Sequence, residues 1–240
     1  MNDLQQLIEA NASNLSKLQS CLKYNFSDLS LLAKALCHRS FTHENTELNL
    51  QDNETLEFLG DAVLDLIISS LLIKTYPDMN EGELSKLRAA LVNETHLAKM
   101  AKDFELEHCI LLGRGEKKSG GNKKASILSS TYEAVLGALF LDSDFNTVCK
   151  LAEHHFSKKI GPTHRSLKQA DAKSLLQELT QQKHNDTPTY ILEKTEGPDH
   201  DKTFTVSVFF LGNVLATASA KSKKAAEQKA AELAVSVFNA

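Results

Sequence analysis

Between Asn53 and Asp65 the chain reads Asn-Glu-Thr-Leu-Glu-Phe-Leu-Gly-Asp-Ala-Val-Leu-Asp, and no other stretch narrows the choice of fold as much. Glu54, Glu57, Asp61 and Asp65 recur at helical spacing and fall close to one face. Leu56, Leu59, Val63, Leu66 and Ile67 form an apolar stripe on another face. A helix divided in this way must lay its stripe on a partner. Its acidic face needs a separate explanation, because the like-charged pairs Glu57/Asp61 and Asp61/Asp65 each cost roughly a few tenths of a kcal/mol on a free helix. Spacing alone leaves two readings open. One is a solvated acidic face, with Glu54 and Glu57 favoured beside a positive helix N-terminus. The other is a divalent-cation site, because hard cations such as Mg²⁺ take carboxylate oxygens.

Residues 1 to about 160 carry helical periodicity throughout. Leu4 to Leu22 and Leu29 to Leu36 read as helices, the second capped by Ser27 or Asp28. His43 to Asp52 reads as a polar loop. The acidic helix runs to Tyr76 and stops at Pro77. Further helices are expected from Glu81, over Thr95–Phe104, over Ser126–Leu141 and over Phe145–Ile160, with Ile110–Gly121 a Gly- and Lys-rich loop. Ala134, Gly137 and Ala138 allow close helix packing. No period-two alternation occurs here, so this region is expected to be all-α. Gly161-Pro162-Thr163-His164-Arg165-Ser166 is a composition break. Beyond it the pattern changes to helix (capped by Asp171 and bearing Leu175, Leu176 and Leu179), strand, strand, strand, helix. Phe204, Val206, Val208 and Phe210 alternate strictly, Gly212-Asn213 reads as the hairpin turn, and Ala226, Ala230, Leu233 and Val237 are the expected inner face of the last helix. The expected division is 1–160, a linker at 161–169, and 170–240.

The chain has 240 residues, which allows one or two domains, and its hydrophobic and charged fractions of 42% and 24% are those of an ordinary globular protein. A net charge of −4 and a pI near 6.1 exclude a generally basic nucleic-acid coat, so any nucleic-acid contact must use local patches. No apolar run is long enough to span a bilayer, Met1–Gln6 has no signal-peptide character, and Cys21, Cys37, Cys109 and Cys149 are scattered. A cytoplasmic protein with reduced, mostly buried thiols and no membrane association is expected.

Several residues outside the acidic helix attract attention. Lys221, Ser222, Lys223 and Lys224 open the last helix, at the end where the macrodipole already favours anions, and phosphate binding is the favoured reading over a solvated basic cap. His200 alone is an exposed loop histidine, Glu133 alone a surface glutamate, and Glu81 alone a helix-start carboxylate. His154 and His155 read as surface residues. The Gly113–Gly121 loop fails as a P-loop, because Gly121 stands where Lys-Ser/Thr is needed and no strand precedes it. Phe58 on the acidic helix would face solvent, which is odd for a monomer.

The segment Asn-Glu-x-Leu-Glu-Phe-Leu-Gly-Asp-Ala-Val-Leu resembles the signature of the ribonuclease III family of double-stranded-RNA endonucleases, and the likeness extends over nearly the whole chain. The α-β-β-β-α order of residues 171–238 resembles the double-stranded RNA-binding domain. The resemblance implies an all-α endonuclease domain followed by a smaller α+β RNA-binding domain. It further implies a homodimer with Phe58 seated in the partner, and a Mg²⁺ site (Mn²⁺ as a substitute) held by Glu57, Asp61 and Glu133. Asp61, Glu133, Glu54 and Glu81 would serve the chemistry, the last two from the periphery. Ser130 stands where the family usually has Asp, so the site carries one negative charge fewer. Gln177 and Glu178, His200 in Gly197-Pro198-Asp199-His200, and the cluster Lys221 to Lys224 would meet RNA.

The implied activity is hydrolysis of double-stranded RNA to products with 5′-phosphates and short 3′ overhangs, in the maturation of ribosomal, messenger and transfer RNA. Ser130 feeds the rival expectation, a catalytically impaired double-stranded-RNA-binding regulator.

Overall fold

The computed structural model describes residues 3–198 and 201–238. It divides into two compact units, Met1–Ile160 and Gly161–Ala240. The first is helical: α1 (Asp3–Ala10), α2 (Ala12–Leu22), α3 (Leu29–Ala35), α4 (Arg39–Glu44), α5 (Glu54–Thr75), α6 (Glu81–Val92), α7 (Glu94–Asp103), α8 (Arg114–Lys118), α9 (Ala125–Asp142) and the start of α10 (Phe145–His184). Among its described residues the β pairing is confined to one parallel bridge, Cys37 to Leu111.

At the centre α5 lies along α9, which also packs on α3 and α7. Two glycines set the α5–α9 spacing. A Cβ on Gly60 would fall 1.8 Å from the Glu133 carbonyl oxygen, and one on Gly137 would fall 2.2 Å from that of Leu56. Leu56, Val63, Leu64, Ile67, Ile68 and Leu72 of α5 meet Leu128, Tyr132, Val135, Leu136 and Leu139 of α9 in the core. The start of α5 is pinned by buried Asn53, whose amide donates to Cys37 O (2.9 Å) and whose Nδ2 donates to Ala35 O (3.2 Å). The end of α9 is pinned by Asp142, which accepts from the Tyr24 hydroxyl (2.7 Å) and from the Ser27 and Asp28 amides (2.8 Å each).

The second unit comprises the later part of α10, the antiparallel sheet β1 (Thr189–Glu196), β2 (Thr203–Phe210) and β3 (Asn213–Ala220) in that order, and α11 (Lys223–Phe238). Its core joins Ala172 and Leu176 of α10, Val208 and Ala218 of the sheet, and Ala230, Ala231 and Ala234 of α11. Alanines on the inner face of α11 let the helix sit close to the strands. On the opposite face of β2, Ser207 pairs with Thr217 (2.7 Å), and Thr205 pairs with Ser219 (2.8 Å).

Several expectations need correction. Leu66 is 58% exposed and does not belong to the buried stripe of α5. Leu233 and Val237 of α11 are also exposed, because Ala231 and Ala234 continue the inner face, at i+4 and not i+3 from Ala230 in the case of Ala234. The polar loop at 43–52 and the Gly/Lys loop contain short helical turns, capped in α8 by the Glu44 carboxylate, which accepts from the Arg114 amide (2.7 Å) and the Gly115 amide (3.2 Å). The hairpin turn is Leu211-Gly212, flanked by the pair Phe210/Asn213, with both residues at positive φ (49° and 77°).

The composition break at 161–169 does not end a helix. α10 runs through it with Pro162 inside, giving up one backbone hydrogen bond, and Asp171 lies within the helix and does not cap it. His154 is exposed, but His155 is not a surface residue: its ring packs on Phe104 at 4.5 Å, and burial, helped by His154, Lys23 and Lys159, pushes its pKa down to about 4.

Candidate active site

Glu57 and Asp61 stand one helical turn apart on α5, and Ser130 and Glu133 nearly one turn apart on α9. The close glycine contacts bring these two pairs face to face. Gly60 lies between Glu57 and Asp61 in position, and the backbone atom it nearly touches belongs to Glu133 itself. Ser130 Oγ donates to Glu57 Oε1 at 2.8 Å.

The Glu133 carboxyl is pushed up to about 8. Burial is the largest cause, followed by the negative charges of Asp61, Glu57 and Asp65. These four carboxylates therefore share one electrostatic neighbourhood. Asp65, on the acidic face of α5 but given no role in the sequence reading, is the member that reading missed; its i+4 spacing from Asp61 was the available signal. Arg88 of α6 faces it, with Nε 3.8 Å from Asp65 Oδ2 and Nη1 donating to Ser69 Oγ at 2.9 Å.

The peripheral acids are placed differently. Glu54 is exposed and paired with Arg39 (3.3 Å). Glu81 opens α6, exposed, accepting from Ser85 Oγ at 3.0 Å, beside a capping box formed by Asn80 and Glu83. Neither is among the charges that raise Glu133.

Among the described residues no three carboxylate, thiol or imidazole groups close on a single point ready to hold a cation. Glu57 is engaged by Ser130. The donor set nonetheless fits a hard divalent cation: it consists of oxygens, and its half-buried member, Glu133, is held towards the neutral form by burial and by like charges, the second of which a cation would offset.

In the second unit, Gln177 and Glu178 are exposed on α10. Ser222 caps α11, its Oγ accepting from the Ala225 amide (3.2 Å), and Lys223 and Lys224 stand exposed in the first turn. Lys221 is exposed but paired with Asp201 (2.6 Å). His200 lies outside the described residues. Phe58, on α5 beside the acids, is 80% exposed.

Comparison with known proteins agrees with the succession of a helical unit and an α-β-β-β-α unit. Residues 28–160 match the family model described as Ribonuclease-III-like, and residues 172–237 match the double-stranded RNA binding motif. The Ribonuclease 3 of Desulfotalea psychrophila is 48% identical over 97% of this chain and 96% of its own length. That of Syntrophobacter fumaroxidans is also 48% identical, over 95% and 96%. Among solved structures, a nuclease domain of ribonuclease III from Campylobacter jejuni, described for flexibility in its region of dimer formation, superposes with a TM-score of 0.55. It shares 44% identity and covers 59% of this chain and 95% of its own. The chain belongs to the ribonuclease III family, a metal-dependent family of endoribonucleases, and carries a double-stranded RNA binding motif as its second unit.

Proposed function

We propose that the chain is a Mg²⁺-dependent endoribonuclease that hydrolyses double-stranded RNA to products with 5′-phosphates and short 3′ overhangs. The observation that carries this reading is the opposition of Glu57 and Asp61 on α5 to Glu133 on α9, across the close contact made at Gly60 and Gly137. Glu57, Asp61 and Glu133 would hold the cation, and Mn²⁺ fits the same oxygen donors. When bound, the cation activates water and stabilises the leaving 3′-oxygen. Asp65 adds negative potential from behind, moderated by Arg88. Glu54 and Glu81 act from the edges of the site on water or RNA.

The second unit supplies affinity through A-form shape, with Gln177, Glu178 and His200 directed to the minor grooves and Ser222, Lys223 and Lys224, with Lys221 nearby, to phosphate. The exposed Arg114, Lys117, Lys118 and Lys123 add a basic surface to the helical unit. The protein acts as a homodimer through Phe58, Leu66 and Ile73, exposed along one side of α5, so that each active centre cuts one strand. Domain limits of 1–160 and 170–240, a cytoplasmic location, and roles in ribosomal, messenger and transfer RNA processing complete the proposal.

The test is cleavage of an end-labelled perfect RNA duplex with Mg²⁺, with EDTA and with Glu133→Ala. Short duplexes bearing 3′ overhangs, lost in the last two conditions, support the enzyme. A duplex that is bound and never cut, even with Mn²⁺, identifies a binding-only regulator.

A further inference from the structure

Three consecutive hydroxyls on α9 behave differently. Ser129 donates back to Ser126 O (2.9 Å) and Thr131 to Ile127 O (2.7 Å), the ordinary local bonds of hydroxyl residues in a helix. Ser130 does neither. Its hydroxyl crosses to α5 and donates to Glu57 Oε1 at 2.8 Å. The crossing is possible because Gly137 lets α9 come within 2.2 Å, measured from a notional Cβ, of the Leu56 carbonyl, one residue before Glu57. A two-atom side chain therefore spans the gap.

We propose that Ser130 is a positioning residue: its hydroxyl orients the Glu57 carboxylate for cation binding. This rests on the metal-site reading above. Glu57 shares its helix face with Asp61 and opposes Glu133, so its carboxylate lies in a field of like charge. A charge-assisted hydrogen bond to Oε1 holds it against that repulsion and leaves Oε2 free for the ion. The hydroxyl does this without adding a further negative charge to those of Glu57, Asp61, Asp65 and Glu133. Removing a group that orients a metal-binding side chain typically weakens metal affinity by about 10–100-fold.

The experiment measures Mn²⁺ binding by electron paramagnetic resonance on the full chain without RNA, for the wild type, Ser130→Ala, Ser130→Thr and Glu133→Ala. The Mg²⁺ dependence of duplex cleavage is measured in parallel, and thermal melting checks folding. Ser130→Ala is expected to bind Mn²⁺ about 10-fold more weakly or worse, and its cleavage is recovered by raising Mg²⁺. Ser130→Thr, which keeps the hydroxyl, is expected to bind as the wild type does. Wild-type affinity in Ser130→Ala, or a folded Ser130→Thr that binds as poorly as Ala, overturns the proposal. Unchanged Mn²⁺ binding in Glu133→Ala overturns instead the metal-site reading beneath it.

Discussion

Replacing Gly60 by alanine tests the geometry of the site more sharply than removing an acid does. The new Cβ would stand 1.8 Å from Glu133 O, 2.6 Å from Glu133 C and 3.0 Å from Gly137 N. All three are backbone atoms, so no side chain can swing aside. Ordinary contact begins near 3.4 Å, and the difference of 1.6 Å must come from parting α5 and α9. In an exposed helix Gly→Ala would stabilise by roughly 1 kcal/mol. Here overpacking opposes that gain with a cost of about 3 kcal/mol, the upper end of its usual range, leaving the variant about 2 kcal/mol less stable.

The effect on chemistry is larger, because the parted helices carry Glu57 and Asp61 on one side and Ser130 and Glu133 on the other. A displacement of about 1 Å in such a constellation costs on the order of 10²-fold in rate. The assay is single-turnover cleavage of an RNA duplex at saturating Mg²⁺, with the urea midpoint measured alongside. A Gly60→Ala protein that cleaves at the wild-type rate with an unchanged midpoint refutes the claim that this close approach builds the site.

Other outcomes follow from the same structure. Glu133, raised from 4.5 to about 8 in the fold, keeps a proton that the unfolded chain has released, so without divalent cation stability falls as pH rises from about 4.5 to about 8 and levels off above. After discounting for its partial exposure, the loss is about 1–2 kcal/mol. Melting in EDTA across this range checks it, and a slope equal to that of Glu133→Gln would contradict it. Leu211 sits at φ 49°, a region costing a β-carbon residue roughly 1–2 kcal/mol, so Leu211→Gly is expected to raise the melting temperature of the second unit; no rise would show that the turn is unstrained. Lys223→Ala and Lys224→Ala are each expected to weaken duplex binding equally for all sequences and to lower the salt slope by about 1. Sequence-dependent losses would instead point to base contacts.

The sequence by itself determined the fold class. Helical periodicity through residue 160, strict alternation over Phe204–Phe210 and the acidic signature at Glu54–Asp65 are local patterns, and each carries its own secondary structure. The small residues Ala134, Gly137 and Ala138 also announced a close helix contact. What lay beyond reach was every choice made by packing. Nothing local separates Leu233 from Ala234 as the inward residue of α11, because a helix admits either spacing and only the sheet beneath decides. Gly161 and Pro162 looked like a terminator, yet α10 passes through them, since the turns on both sides are helical and one lost hydrogen bond is tolerable. His155 is half-buried because its ring packs on Phe104. The site divides in the same way. Glu57, Asp61 and Glu133 could be named from the sequence. Their shared potential, the part taken by Asp65 and Arg88, and the bond from Ser130 to Glu57 exist only because α5 and α9 approach through glycine. Electrostatic coupling and hydrogen bonds depend on distance through space, and a sequence records distance only along the chain.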